Sequence, residues 1–392
     1  MSVQQDLASM GIVRLTKARI EELLIPIRGV LQEINDTDAQ DVIIIEDEKI
    51  ETKIKGVLTV SEHIMPWSRD VFNYFVGTVG REGVKGRTQD FGSDMIDNKI
   101  CELLLDSNNQ SHDFNMGIGD KKSLRVHMYT VYSAKAPNKQ ALAVAIRIVN
   151  RDIPSWDKLS LPTFFRQVNK QKSGLVLVAG HVGSGKSTTV ASLVKDINLS
   201  SSQRKSIVTI EHPIEYIHKS SGARIVQKGV GVNTPSFSQA TDDAMRENAD
   251  IVVIGELRDK EEMDNALRLV EIGKLVFATI HSNSVVDTPD RFVNVFPGDV
   301  QDNIRDRLAS NTICIMHQNL ETVEGKQYPV VEGFFTRNET ERSTLQKNFS
   351  RTALATLMKG SQPFVLTKEA AFEELSEKVK FKDEQAAREI LT

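Results

Sequence analysis

The spacing of hydrophobic positions shifts along the chain, and each spacing predicts a different element. Ile20, Leu23, Leu24 and Ile27 recur at three- and four-residue intervals, which places them on one face of a helix. Val42–Ile45 is an apolar run of strand length. Further along, Leu124, Val126 and Met128 alternate with Arg125, His127 and Tyr129, and Leu142, Val144, Ile146 and Ile148 alternate with Ala143, Ala145 and Arg147. Period-two alternation makes a half-buried strand, so both segments are expected to turn one apolar face to a core and to hold Arg125 and Arg147 away from it. The polar, proline-containing stretch Ser133–Gln140 between them predicts an antiparallel hairpin.

The texture changes after Asn150. Asn150-Arg151-Asp152-Ile153-Pro154-Ser155 is polar and broken by proline, and Pro162 marks a helix start. Beyond it, Leu175–Ala179, Ile207–Ile210, Ile251–Ile254 and Leu275–Ile280 are apolar runs without alternation, separated by helical patterns after Lys186 and from Met263 to Val270. Strands of this kind, buried on both faces between helices, predict a mostly parallel sheet. The charged stretch after Thr336 carries helical patterns at Thr352–Met358 and Lys368–Val379. The expected organisation is an N-terminal α+β domain over residues 1–150, a linker over 151–160, an α/β domain over 161–335 and a helical C-terminal region over 336–392.

Composition narrows the function classes. Of 392 residues, 40% are hydrophobic and 26% charged, enough apolar surface for two or three cores at roughly 100–200 residues per domain. Lys and Arg total 49 against 53 Asp and Glu, a net charge of −4, so there is no global basic field and no direct nucleic-acid partner is expected. The two cysteines, Cys101 and Cys314, stand far apart, which excludes a disulfide framework and a four-cysteine zinc module; no zinc is expected. Met1–Met10 is polar and does not read as a signal peptide, and the longest apolar runs fall short of the ~20 residues a bilayer span needs. A cytoplasmic location is expected.

The sharpest signal follows the first of the buried runs. Gly180-His181-Val182-Gly183-Ser184-Gly185-Lys186-Ser187-Thr188 matches the phosphate-binding P-loop in full, between a strand and a helix start. Gly180, Gly183 and Gly185 let backbone N–H groups close around phosphate oxygens where a Cβ would collide, with Ser184 inside the loop. The helix opening at Lys186 adds its positive end, and Lys186 adds a point charge for the β- and γ-phosphates. The Ser187 hydroxyl is the expected Mg²⁺ ligand, beside Thr188, so ATP and Mg²⁺ are the expected bound groups. A plain strand-to-helix turn is the bland alternative, and the complete pattern in this context disfavours it.

Further elements fit a hydrolase. Ile251–Glu256 is a buried strand ending in a carboxylate, and ligands sit beyond the carboxyl ends of strands in a doubly wound sheet, so Glu256 is the candidate Mg²⁺-binding acid. Ile207–Ile210 runs into Glu211, with Glu215 beyond Pro213, and Glu211 is a candidate base for the attacking water. Taken alone, each is as well a solvated acid at a strand end. Leu275–Ile280 ends at His281, a candidate contact for the γ-phosphate, although a lone histidine there is more often structural.

With these residues in order, the chain resembles the secretion-superfamily ATPases, nearest the type IV pilus retraction ATPases (PilT). The resemblance is carried by the P-loop, by Thr209-Ile210-Glu211-His212-Pro213-Ile214-Glu215-Tyr216 (the Asp box), by Gly255-Glu256-Leu257-Arg258-Asp259 (the Walker B segment) and by Leu275–Asn283 (the His box). It implies a RecA-like P-loop ATPase domain behind a smaller N-terminal PAS-like α+β domain, assembled as a homohexamer that works on an inner-membrane platform protein of a pilus or secretion machine. It also implies a cytoplasmic protein peripherally associated with the inner membrane. By the same resemblance, Glu211 is the catalytic base, Glu256 serves Mg²⁺, His281 contacts the γ-phosphate, and Arg125 and Arg147 reach the phosphates from the N-terminal domain. The chain departs from the family at His212, where Asp is usual, at Lys274, which replaces the first histidine of the His box, at His181 and Val182, at Gln40-Asp41 and at Leu354, where the retraction ATPases carry Arg. These departures leave two alternatives beside a pilus motor: an ATPase of a secretion or conjugation system of the DotB/TraJ kind, and an ATP-binding regulatory paralogue that does not hydrolyse.

Overall fold

A computed structural model describes residues 12–37, 39–54, 57–77, 95–97, 111–118, 122–132, 140–150, 152–200, 204–212, 214–231, 233–347, 349–360 and 362–392. The chain divides into two compact units, Met1–Asp152 and Ile153–Thr392.

Among the described residues, the first unit is a six-stranded antiparallel sheet with two helices and a separate strand pair. In chain order the elements are β1 (Ile12–Arg14), α1 (Lys17–Asp36), β2 (Ala39–Ile45), β3 (Glu51–Ile54), β4 (Val57–Val60), α2 (Arg69–Phe75), β5 (Met95–Asp97), β6 (Ser111–Ile118), β7 (Lys122–Tyr132) and β8 (Gln140–Asn150). The sheet order is β4-β3-β2-β8-β7-β6, with β1 and β5 paired separately. Helix α1 buries Leu23, Leu24 and Ile27, the stripe its spacing predicts, against Leu124, Val126, Met128, Leu142, Val144 and Ile146 of the hairpin strands. Strands β7 and β8 pair antiparallel, as the hairpin reading expects, with Val126 opposite Ile146. The expected turn at 133–139 lies outside the described residues.

The second unit is an eight-stranded sheet between helices. It contains α3 (Thr163–Arg166), β9 (Gly174–Ala179), α4 (Lys186–Ser200), β10 (Ser206–Glu211), β11 (Arg224–Gly229), α5 (Phe237–Arg246), β12 (Ile251–Leu257), α6 (Lys260–Glu271), β13 (Leu275–Ile280), α7 (Thr288–Val293), α8 (Gln301–Asn311), β14 (Thr312–Val323), β15 (Lys326–Phe335), α9 (Glu339–Lys347), α10 (Arg351–Lys359), β16 (Val365–Leu366), α11 (Lys368–Lys378) and α12 (Glu384–Leu391). The sheet order is β11-β10-β12-β13-β9-β14-β15-β16. All pairs from β11 to β14 are parallel, and the last two are antiparallel. Strand β9 shows why an unbroken apolar run is needed: Leu175, Leu177 and Ala179 face one core, and Val176 and Val178 face the other.

Two features differ from the sequence reading. The long hairpin of β14 and β15 was not anticipated, because its buried strand mixes Thr312, His317 and Gln318 with apolar residues. The 336–392 region, expected to be helical, also contributes the edge strand β16, and its Leu354 is a core residue. Lys274, which replaces the first histidine of the His box, precedes β13 at the end opposite His281 and donates to Asn248 Oδ1 at 2.9 Å.

Candidate functional site

Parallel strands bring their carboxyl ends to one edge of the sheet, and in this unit that edge gathers the sequence-selected residues. The P-loop follows β9, Glu211 ends β10, Glu256 lies near the end of β12 and His281 follows β13. A cavity of about 330 Å³ opens there, lined by Gly183, Lys186, Ser187, Glu211, Glu256 and His281 among others. That is the size range of small-molecule sites.

The loop is held open by its glycines. Gly180, Gly183 and Gly185 have φ of +149°, +80° and +84°, and a Cβ on Gly180 would stand 2.2 Å from the Gln318 carbonyl oxygen. Lys186, only 7% exposed, opens α4 and folds back so that Nζ donates to the carbonyls of Gly180 (3.0 Å) and His181 (2.7 Å). Burial pushes its ammonium pKa down, and the charges of Glu256 and Glu215 oppose that shift. Ser187 faces the cavity, Ser184 is buried, and Thr188 turns its hydroxyl to Tyr216 OH at 2.7 Å.

Glu256 is not the last residue of its strand. β12 continues to Leu257, and its pairing with β13 is irregular between Ile254 and Leu257. A bulge of this type re-aims a side chain at a strand end. Oε1 of Glu256 lies 2.7 Å from His281 Nε2, and Oε2 accepts from Arg258 at 2.7 Å. Arg258 is steadied in turn, since its backbone N–H donates to Glu262 while Asp259 caps α6 through the Glu262 N–H. The other ring nitrogen of His281, Nδ1, is 3.2 Å from the Gly180 carbonyl oxygen and 3.4 Å from Lys186 Nζ. A neutral imidazole carries one N–H, so each tautomer of His281 donates to one side, the loop carbonyl or Glu256.

Glu211 sits apart from that cluster, on the other side of β12. Thr209 Oγ1 donates to its Oε1 at 2.7 Å, and the Glu215 N–H and Gln227 Nε2 approach at 3.4 and 3.5 Å. Burial drives its carboxyl pKa up, only partly countered by these donors. A buried carboxyl poised nearer neutrality is the form a general base takes. Gly255 keeps the approach open, because a Cβ there would come within 3.3 Å of Glu211.

Arg125 and Arg147 belong to the first unit, where they stand directly opposite each other on β7 and β8. Like charges in that position oppose pairing. Asp41, opposite Arg147 on β2, accepts from Arg147 Nε at 2.8 Å, which gives Asp41 a role on this face. The structure therefore brings Lys186, Glu256 and His281 into contact, places Glu211 and Ser187 on the same cavity, and brings the two arginines to each other. The sequence reading missed Gln318, Gln227 and Tyr216 as contacts of these residues; the motif containing Tyr216 was in view, but nothing local marks Gln318.

The residues also fit a magnesium-bound polyphosphate. Among the described residues no group of three or more His, Cys, Asp or Glu side chains forms a metal cage. Mg²⁺ needs none, since it is commonly held by one or two protein oxygens together with substrate phosphates and water. The Ser187 hydroxyl and the Glu256 carboxylate supply hard oxygen donors beside the glycine cradle.

Comparison with known proteins agrees with this architecture. The profile of the family described as "Type II/IV secretion system protein" matches residues 110–386. A twitching motility protein of Neisseria gonorrhoeae is 30% identical over 266 residues, covering 66% of this chain and 69% of that protein. Other curated relatives at 31–34% identity are matched over 66%, 55% and 63% of their own lengths. Among solved structures, the pilus retraction motor PilT with bound ADP superposes with a TM-score of 0.67 at 26% identity, over 91% of this chain and 98% of that one. The Legionella pneumophila ATPase DotB superposes with a TM-score of 0.70 at 18% identity, over 93% and 94%. The fold is a RecA-like P-loop domain with a smaller N-terminal α+β domain, as the sequence resemblance implied.

Proposed function

Because the chain belongs to the type II/IV secretion system protein family, we propose that it is an ATP-hydrolysing motor subunit of the PilT type, powering pilus retraction or dynamics. The observation that carries this reading is the convergence of Lys186, Glu256 and His281 at the P-loop, with Glu211 on the same cavity. The identity to a twitching motility protein favours a pilus machine over a secretion or conjugation machine. The retained, hydrogen-bonded Glu211 favours hydrolysis over a purely regulatory role.

In this reading the loop N–H groups and Lys186 hold the β- and γ-phosphates, Lys186 exchanging its carbonyl partners for phosphate oxygens. Glu211 orients a water and accepts its proton as the water oxygen bonds to the γ-phosphorus and the bond to the β-phosphate oxygen breaks, leaving ADP and phosphate. His281 hydrogen-bonds the γ-phosphate and returns to its loop and Glu256 partners once that group has gone. Bound Mg²⁺, held by Ser187 and Glu256, would supply charge neutralisation at the β- and γ-oxygens. Arg125 and Arg147 supply further positive charge from the N-terminal domain. In a homohexamer, alternation between these contact sets would do work on an inner-membrane platform protein. Contact with that platform is proposed to be peripheral; among the described residues no helix is long and apolar enough to cross a membrane.

Lys186→Ala tests the reading. Nucleotide binding and phosphate release are expected to be lost while the far-ultraviolet circular dichroism stays that of the parent. Parental turnover in this variant overturns the proposal.

A further inference from the structure

Strand β14 runs beside β9, with His317 opposite Ala179, so the next residue, Gln318, lies against the base of the phosphate loop. Gln318 is 3% exposed. Its Nε2 donates to the Ser184 carbonyl at 2.7 Å, and its Oε1 accepts from Thr189 Oγ1 at 2.8 Å. Thr189 is itself in the first turn of α4, where its N–H donates to the Gly185 carbonyl at 3.0 Å. One buried amide thus ties the loop, the helix start and the neighbouring strand together. Its orientation is fixed by chemistry: a carbonyl only accepts, so the NH₂ end must face Ser184.

We propose that Gln318 is a positioning residue for nucleotide binding, setting the Ser184–Gly185 peptide so that the Gly185 N–H faces the phosphates. The inference rests on the ATP-binding reading above and adds a determinant to it. In a trans peptide the C=O and N–H point in opposite directions. Anchoring the Ser184 carbonyl on Gln318 therefore turns the Gly185 N–H away from β14. The peptide needs such an anchor, because Gly185 at φ +84° has the backbone freedom to let the unit rotate. Rotation would present a carbonyl to an anion in place of a donor. It would also leave a buried amide N–H without a partner, which disfavours the rotated form by about tenfold or more.

The test uses the full chain and a fluorescent ATP analogue with Mg²⁺, with affinity measured relative to the parent at each pH from 8 down to 5.5. The titratable and charged groups around this position, Lys186, His181, His281, His317 and Glu256, are present in both proteins, so each comparison is made with the parent at the same pH. Gln318→Glu keeps the shape but at pH 8 sets a carboxylate against the Ser184 carbonyl. Its affinity is expected to fall by about tenfold or more and to recover as acid protonates the side chain and restores a donor. Gln318→Met keeps the volume and donates nothing, so a fall of about tenfold without pH-dependent recovery is expected. In phosphate-release assays its loss should appear in KM more than in kcat. Parental affinity in both variants overturns the proposal, as does a loss in Gln318→Glu that is the same at every pH. If Gln318→Glu does not fold, Gln318→Met with Thr189→Val decides the matter, and parental affinity in that pair overturns the proposal. Lys186→Ala is run alongside. Retained binding there defeats the ATP-binding reading, whereas lost binding there with unaffected Gln318 variants defeats only the positioning role.

Discussion

Replacing Gly180 by alanine isolates the packing of the phosphate loop from its chemistry. At φ +149° the residue occupies a region that side-chain-bearing residues rarely adopt, a strain of roughly 1–3 kcal/mol. The added Cβ would also stand 2.2 Å from the Gln318 carbonyl oxygen and 2.6 Å from Ser184 Oγ. The first is strand backbone and cannot swing aside, so overpacking adds roughly 1–3 kcal/mol. A total near 4 kcal/mol corresponds to a fall in Tm of about 10 °C for a domain of this size. Gly183→Ala is the matched control: its φ is +80°, but nothing lies within 4 Å of the new Cβ. That variant should lose only the backbone share, about 1–2 kcal/mol, or a few degrees. Differential scanning calorimetry without nucleotide reads both. Equal losses in the two variants, or a Gly180→Ala protein within a degree or two of the parent, would refute the argument that β14 backs the loop.

Other consequences can be checked as directly. Glu211→Gln is expected to abolish phosphate release while nucleotide affinity stays within a few-fold of the parent. In the parent, burial raises the Glu211 pKa; below that value the carboxyl is protonated and cannot accept a proton, so the acid limb of the kcat profile should lie above the ordinary glutamate range near 4.5. Arg147→Ala should lose most turnover and keep nucleotide binding by the isolated subunit, and equal loss of both would count against an arginine acting on phosphate. His317 is 3% exposed and burial lowers its pKa to about 4. The unfolded chain therefore binds more protons as pH drops below the usual value of 6.5, so urea-unfolding stability should fall from there towards pH 4. His317→Gln should flatten that part of the curve.

The parts of the fold that were legible in the sequence are those whose environment is uniform. Strands β9, β10, β12 and β13 are buried on both faces, so each is written as a continuous Val/Ile/Leu run. The hairpin strands of the first unit have one wet face and alternate. Strand β14 obeys neither rule. Its central residues are buried, yet His317 and Gln318 are polar, because what covers them is loop backbone that needs hydrogen-bonding partners. The site divides along the same line. Lys186, Glu256 and His281 each sit in a short motif, and parallel topology does the assembling. Gln318 contacts Ser184 across 134 positions of sequence with no motif of its own. Lys274 shows that adjacency in sequence is not proximity: it adjoins the His box, yet a strand of this length separates it from His281 by about 20 Å.

The tip of the β14–β15 hairpin carries an apolar cluster of its own. Val323 and Val330 pack there with Phe372 and Leu375 of α11 and Ala387 and Leu391 of α12, separately from the two cores that flank the sheet. Substitutions at these cluster positions are therefore accommodated locally, whereas Ala371 of α11 belongs to the core that also holds Val176 and Val178 of β9. The carboxyl-terminal helices thus hold the hairpin tip as a patch whose apolar contacts are separate from those of the catalytic edge, while one residue of α11 still couples them to the sheet.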